Sequence, residues 1–424
     1  MRGHIKKRST WQFTIDLGLQ ALQRCPSCRK RYWQKDGRLK RCPKCQGPLE
    51  DDLARRQEFH SGFKTKREAE LELARVTGAM ASGTHIAVSR LLVDDFLREK
   101  WLPAILPTIR PTTYLSYEGH INGHISPHLG RIPLQQLSPA DINAFYAKLL
   151  TEPRPSRALP ENRKEDEVLK PLSPASVRRI HATLHRALRD AVRWNLLGRN
   201  PADAADPPRA AGCAGARVGA WSVSDLRTFL ESESLSRYYP LWLLLLTTGM
   251  RRGEAMGLRW QDVDPEAQTL AIRQTRVQLN YEAVVSTPKT QKGRRLVALD
   301  PATTKVLSEL RERCEKESAE LGKRLKSSDL VFTNDKGQPL HPERATRYFQ
   351  AAVKKAGVPV IRLHDLRHTH ATLALSAGVH PKVVSERLGH ANIGITLDTY
   401  SHCLPALSEE AACRVAALVI SGEA

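Results

Sequence analysis

The chain has 424 residues, 41% of them hydrophobic, and carries 66 lysines and arginines against 45 aspartates and glutamates, a formal charge of +21. Such a length divides into two or three domains with real cores, which excludes a disordered chain, and the basic excess favours polyanionic partners through phosphate neutralisation. No stretch reaches the roughly 20 apolar residues of a membrane span, and no apolar signal segment follows the basic N-terminus. A cytoplasmic protein without a membrane partner is expected.

The first eighty residues hold 19 Lys/Arg against 9 Asp/Glu and form a compositional unit of their own. The alternation of Trp11-Gln12-Phe13-Thr14-Ile15-Asp16-Leu17 predicts a strand, and residues 59–63 predict another with Gly62 near its end. A helix is expected over 66–76, with Ala69, Leu73 and Val76 as its apolar stripe and Thr65 and Glu68 as a capping box. Residues 84–205 read as mostly helical. Val88, Leu91, Leu92 and Phe96 would share one helical face, and further helical patterns cover 112–125, 138–150 and 173–194. Ser138-Pro139 and Ser173-Pro174 have the form of helix starts, since proline is tolerated at the first helical position. The Pro- and charge-rich stretch 151–170 is expected as an exposed loop. Lys148, Arg178, Arg179 and Arg186, with His185 and Arg189, are candidates for a DNA-facing surface, against the plainer reading of a solvated helix face.

Residues 201–219, mostly Ala, Pro, Gly and Asp, are expected as a linker that does not pack. Trp221-Ser222 then opens the last domain. Helices are predicted over 224–231 and 237–248, strands over 269–277 and 295–299, and helices from Pro301 onward.

Four of the eight cysteines are clustered. Cys25-Pro-Ser-Cys28 and Cys42-Pro-Lys-Cys45 are two C-x-x-C knuckles, and four thiolates close a tetrahedral shell round one zinc ion. The segment between them, with Tyr32-Trp33 and Gly37, suits a hairpin turning at Gly37. A structural Zn²⁺ is therefore expected, and its loss should unfold this lobe.

The strings that carry chemistry come late. They are Thr247-Thr248-Gly249-Met250-Arg251-Arg252-Gly253-Glu254, His364-Asp365-Leu366-Arg367-His368-Thr369-His370, Leu388-Gly389-His390 and Thr399-Tyr400-Ser401-His402. Breaking and remaking a phosphodiester without an outside energy source requires a nucleophile that stores the bond covalently, and tyrosine can form such an ester. Its hydroxyl titrates near 10, so it needs an acceptor or a strong positive field at the phosphate. Arg251 and Arg367 can supply that field by forking onto non-bridging oxygens, each worth about 3 kcal/mol of barrier. A leaving 5′-alkoxide needs an acid, for which Lys289 is the candidate, with Lys292 three residues away as its competitor. His364 would assist proton transfer at Tyr400 and His390 would hydrogen-bond the phosphate. Glu254 would support Arg251 as a buried ion pair, whereas His368, His370 and His402 are expected to be structural or peripheral. No carboxylate cluster for magnesium accompanies the set, so chemistry without a catalytic cofactor is expected.

These boxes resemble the active-site motifs of the tyrosine recombinase, or phage integrase, family. Arg251 matches the first catalytic arginine, His364 and Arg367 the H-x-x-R box, His390 the histidine of the L-G-H box, Tyr400 the nucleophile, and Lys289 the hairpin lysine. Gly3-His4-Ile5, the early strand and Gly62-Phe63-Lys64-Thr65-Lys66-Arg67-Glu68-Ala69-Glu70 resemble an arm-type DNA-binding module, from which the cysteine knuckles depart as a zinc-ribbon-like insertion.

The resemblance implies a multidomain fold. A small β+α arm-binding domain with zinc knuckles (1–80) would be followed by an all-α core-binding domain (84–205), a mainly α catalytic domain with a small β-sheet (220–415) and a C-terminal tail (416–424). It implies a site-specific recombinase working through a 3′-phosphotyrosyl intermediate on double-stranded attachment sites, as a homotetramer, with accessory DNA-bending or directionality proteins as further partners. A resolvase or invertase, a type IB topoisomerase, and an idle DNA-binding protein share these residues and stay open. So does the packing of the apolar tail, on its own domain or on a neighbour.

Overall fold

The computed structural model describes residues 3–33, 39, 41–81, 86, 88–153, 170–209, 219–279, 282–286, 293–400 and 416. The expected turn at Gly37, most of the 151–170 loop, both Lys289 and Lys292, His402, and the tail pattern lie outside them. Two compact units divide the chain, Met1–Ile109 with Ser116–Ala211 and Arg110–Leu115 with Gly212–Ala424.

The first unit begins with an antiparallel sheet of β1 (Gly3–Lys7), β2 (Trp11–Arg24), β3 (Arg31–Trp33) and β4 (Glu50–Phe63), in which β2 pairs with the other three. β2 and β4 are each 14 residues long, far beyond the predicted strands. The alternation that marks a strand is interrupted by a bulge between Asp16 and Leu19, where Gly18 takes a φ of 80°. Pairing resumes beyond it and runs to Arg24↔Glu50, at the foot of the first knuckle. Helix α1 (Lys66–Ala81) starts at the expected box, with the Glu68 amide donating to Thr65 Oγ1 at 3.2 Å. It buries Ala69 and Val76 against Phe13 and Ile15, with Leu73 packed alongside.

The helical part of this unit corrects one expectation. Leu92 is extended and bridges Pro133, and the Leu134 amide donates to the Leu91 carbonyl, so Leu91 and Leu92 have strand-like partners and the helix begins only at Val93. Val88 is 72% exposed, on no helical face. From there α2 (Val93–Asp95) passes through a π-turn, Phe96–Trp101, into α3 (Leu102–Ile105). In the same way α4 (Pro111–His120) passes through Ile121–Ile125 into α5 (Ser126–Leu129). α6 (Pro139–Thr151) and α7 (Pro174–Arg193) start after the predicted caps, Ser138 and Ser173. α7 buries Val177, Ile180, Leu184, Leu188 and Ala191 at helical spacing, and its Asp190 accepts from the Trp101 indole at 2.9 Å in the interior.

The start of the expected linker also packs. Residues Pro201–Ala204 form a 3-10 turn capped by Asn200, with Pro201 and Ala202 buried. His185 meets Asp203 at 2.7 Å, and the Asp206 amide donates to Asn143. Capping and side-chain pairing hold a segment whose composition alone would leave it loose.

The second unit opens with α8 (Val223–Glu233), capped by Ser222 and Asp225, then α9 (Tyr239–Thr248) and the short α10 (Arg252–Met256). β5 (Val263–Asp264), β6 (Thr269–Ile272) and β9 (Arg295–Ala298) form one antiparallel sheet, while β7 (Thr275–Leu279) and β8 (Glu282–Ser286) form a separate hairpin. The single strand expected over 269–277 is therefore two strands belonging to two sheets. α11 (Pro301–Glu320), α12 (Pro342–Ala356), α13 (Asp365–Ser376), α14 (Pro381–Leu388) and α15 (Ile393–Tyr400) complete the unit. α9 is apolar on nearly all sides, burying Leu241, Trp242, Leu244 and Leu245, and is the central rod of the core. Its Trp242 meets Phe349, which in turn packs on Trp221 and Phe229, with ring centroids in this cluster 4.9–5.8 Å apart. Among the described residues no helix is long and apolar enough to cross a membrane.

Candidate active site and thiol cluster

Two helices end at the same place. α9 stops at Gly249 (φ 64°) and α14 at Gly389 (φ 68°), both in the left-handed conformation that glycine adopts without penalty at a helix C-terminus. A Cβ at Gly249 would come within 2.6 Å of Leu388 and 2.7 Å of His370, so the two turns can approach only because that side chain is missing. Arg367, buried on the first turns of α13, clamps them together. Its Nη1 donates to the Gly249 carbonyl and its Nη2 to the Leu388 carbonyl, both at 2.7 Å.

Arg251, two residues beyond Gly249, donates from Nη2 to the Gly389 carbonyl at 3.1 Å and from Nη1 to Glu254 at 2.8 Å. Its side chain is 40% exposed while Glu254 is only 4% exposed, which makes Glu254 a buried brace and Arg251 the group that faces outward. The expected ion pair is present, with a partner that sequence reasoning missed. Arg295 at the start of β9 donates to both carboxylate oxygens of Glu254, and its Nε donates to the Arg387 carbonyl at 2.7 Å. Burial works against the Glu254 charge, but Arg295 first and then Arg251 hold the carboxyl below its usual range. The only early hint of Arg295 was its place in a strand just after the lysine-bearing segment, which does not distinguish it from any edge-strand arginine.

The charges are costly to hold. Burial first, then the charge on Arg251, pulls the Arg367 guanidinium down to about 9, so it is still cationic at neutral pH but would be relieved by an anion. His390 follows Gly389, and its Nδ1 lies 2.8 Å from Thr396 Oγ1. Burial, then Arg367 and Arg251, lowers its pKa to about 4. His364 at the N-cap of α13 is likewise lowered to about 4 by burial and by His368 and Arg367. Both imidazoles are neutral at physiological pH.

Tyr400 ends α15 and is 1% exposed, its ring packed in a cluster with Ala371, Leu375, Val384 and Leu388. The histidine at its hydroxyl is His368, whose Nδ1 is 2.7 Å from Tyr400 Oη. His364 instead packs edge-on against His368, with ring centroids 5.2 Å apart. His368, expected to be structural or peripheral, is not peripheral: the helical turn from His364 to His368 carries it to the tyrosine. His370 is structural as expected, donating from Nδ1 to the Leu246 carbonyl at 2.7 Å. Segments far apart in sequence thus meet at residues 388–390: Arg251 reaches Gly389 across 138 residues.

The residues expected on a DNA-facing surface belong to the first unit. Lys148, Arg178 and Arg179 are exposed on α6 and α7. Arg178 also donates to the Pro208 carbonyl, and Arg186 is engaged with Tyr117, donating to its hydroxyl at 2.9 Å.

The four knuckle cysteines meet as their spacing requires. In each knuckle a backbone turn returns to the first cysteine, Arg29 amide to Cys25 carbonyl and Gln46 amide to Cys42 carbonyl, with Arg29 and Gln46 at φ 57° and 59°. All four sulfurs lie within 4.8 Å of one another, with Cys25–Cys45 at 3.4 Å and Cys28–Cys42 at 3.5 Å. A tetrahedron of thiolates around zinc has edges of about 3.8 Å, so the set can hold a metal ion of that size. The Tyr32 hydroxyl, 3.3 Å from Cys42 Sγ, supports it from outside.

Residues 222–406 match the phage integrase family model, and residues 95–150 match the N-terminal SAM-like domain of phage integrases. Residues 222–406 are a phage integrase family domain. The chain is 25% identical over 367 residues to a XerC-like tyrosine recombinase of Caldanaerobacter subterraneus, covering 82% of this chain and 88% of that one. It is 25% identical over 360 residues to the ICEBs1 integrase of Bacillus subtilis, covering 84% and 89%. Among solved structures, the Tn1549 transposon integrase in complex with a circular intermediate DNA shares the fold at a TM-score of 0.60 and 19% identity, covering 77% of this chain and 99% of that one. A lambda integrase dimer bound to a core site shares it at 0.52 and 14%, covering 94% of each. The chain is a tyrosine-type site-specific recombinase, an enzyme that cuts and rejoins DNA strands.

Proposed function

We propose that this recombinase is the integrase of a phage or other mobile element, and that Tyr400 attacks the scissile phosphorus to form a 3′-phosphotyrosyl bond. Arg251 and Arg367 would hold the non-bridging oxygens, His390 would hydrogen-bond one of them, and His364 would line the same side of the site. Lys289 would protonate the departing 5′-oxygen. The observation that carries this reading is the convergence of two guanidinium groups, a neutral imidazole and a sheltered tyrosine on the Leu388–Gly389–His390 turn. A phosphodiester is the substrate whose transition state spreads negative charge where such donors stand.

In this reading residues 1–80 bind arm-type DNA, 84–205 grip the core site with Lys148, Arg178, Arg179 and Arg186 near the backbone, 220–415 carry the chemistry, and 416–424 form the tail. One Zn²⁺ held by Cys25, Cys28, Cys42 and Cys45 would fold the knuckles. The working assembly would be a homotetramer on paired attachment sites, aided by accessory DNA-bending or directionality proteins. A nicked duplex whose short 5′ fragment diffuses away after cleavage tests the chemistry. The wild-type protein is expected to accumulate a covalent adduct, and Tyr400→Phe to lose it by a factor of about 10⁴ or more while still binding DNA. An undiminished adduct in that variant would overturn the assignment.

A further inference from the structure

We propose that His368 both orients the Tyr400 hydroxyl and takes its proton as that oxygen attacks phosphorus, an inference that rests on Tyr400 being the nucleophile. The geometry is direct: His368 Nδ1 is 2.7 Å from Tyr400 Oη, and the rings are tilted at 52° with centroids 5.8 Å apart. His364, the histidine of the H-x-x-R box, meets the face or edge of His368 rather than the phenol. Both groups are fixed before substrate arrives. The tyrosine ring is packed among Ala371, Leu375, Val384 and Leu388, and His368 sits one residue beyond the clamped Arg367 on α13. Burial, followed by the charges on Arg367 and Arg362 and opposed by Asp365, lowers the His368 pKa, which favours the neutral ring whose Nδ1 lone pair can accept the phenol hydrogen.

The step balances. The Oη–H proton passes to His368 Nδ1, the Oη–P bond forms, and the P–O5′ bond breaks with the 5′-oxygen taking a proton from a separate acid. The phosphodiester keeps its single charge. On rejoining, an incoming 5′-hydroxyl attacks and gives its proton to the conjugate base of that same acid, while Oη leaves and takes its proton back from the imidazolium.

The test uses the full-length protein in single-turnover cleavage of the nicked duplex, with an ordinary phosphodiester and with a substrate bearing sulfur in place of the bridging 5′-oxygen. Sulfur leaves without a proton, so the second substrate removes the need for the leaving-group acid and leaves the need to activate tyrosine. His368→Leu is expected to cleave at least about 100-fold more slowly on both substrates, with DNA binding retained. His368→Asn, whose amide oxygen can accept the phenol hydrogen bond but cannot take up the proton, is expected to recover part of that loss. If the leucine variant does not fold, His368→Ala takes its place. Wild-type rates in these variants, or a deficit that disappears on the sulfur substrate, would overturn the proposal. Loss of the adduct in Tyr400→Phe beside a normal His368→Leu would reject His368 alone. An adduct persisting in Tyr400→Phe would reject the nucleophile itself.

Discussion

At the start of the chain, a sheet with an interior of Phe13, Ile15, Ala69 and Val76 carries a long excursion from Cys25 to Gly47 that ends in four thiols. In the second unit, an interior running from Trp221 to Leu366 carries Arg367, Glu254 and Arg295 at or near full burial. Burying a charge costs several kcal/mol unless it is paired and hydrogen-bonded, and only the larger core can absorb that expense. The smaller one has less apolar area to fix its excursion, which is where the proposed Zn²⁺ would act as a cross-link. In the proposed reading, order in one region comes from coordinating atoms, and in the other from packing that offsets misplaced charge.

Three experiments sharpen that contrast. The largest effect belongs to the thiols. With the proposed Zn²⁺ in place, stripping it from the full-length protein with a strong chelator would remove a binding free energy of about 10 kcal/mol or more. Amide hydrogen exchange should then rise through residues 20–50 and stay slow through α9 and α13. Equal loss of protection in both regions would mean that the knuckles are not held independently of the second unit. Smaller is the effect of Arg367→Ala, which removes both the clamp on Gly249 and Leu388 and the proposed phosphate donor. Single-turnover cleavage should slow by about 10²–10³-fold, and the protein should melt earlier because two buried carbonyls lose their partner. A variant with full stability and reduced cleavage would show that the clamp is dispensable to the fold.

The smallest effect is titration. His370 and His390 have folded-state pKa values of about 4, below the roughly 6.5 of an unfolded histidine. The unfolded state therefore binds more protons between those values, so stability is fully present above pH 6.5 and is lost as pH falls toward 4. The slope is on the order of 1 kcal/mol per pH unit for each histidine at most. Urea midpoints measured from pH 7.5 to 4.5 should fall in the lower half of that range, and a flat profile would contradict the buried, neutral state of both rings.

Much of this was legible in the residues. The helix starts at Ser138 and Ser173, the Thr65–Glu68 box, the pairing of Glu254 with Arg251 and the meeting of the four cysteines are local, because caps, C-x-x-C turns and i,i+3 pairs act within a few residues. What was missed is mostly non-local. Arg295 reaches Glu254 from 41 residues away, and His368 reaches Tyr400 across 32. Leu91 and Leu92 gave up helix for a bridge to residues 132–134. The full lengths of β2 and β4 were hidden by a bulge that shifts the alternation, and the packed turn after Asn200 by a composition that reads as linker.

Arg367 has five N–H bonds, and two of its nitrogens are already spent on main-chain oxygens. The same planar group is thus a structural bolt and, in the proposed mechanism, a reagent, with its remaining hydrogens held in a fixed fan. A lysine there could carry the charge, yet its single rotating ammonium could not fasten two loops while addressing a third party. Positive charge at this position is therefore only half of the specification. The other half is flatness.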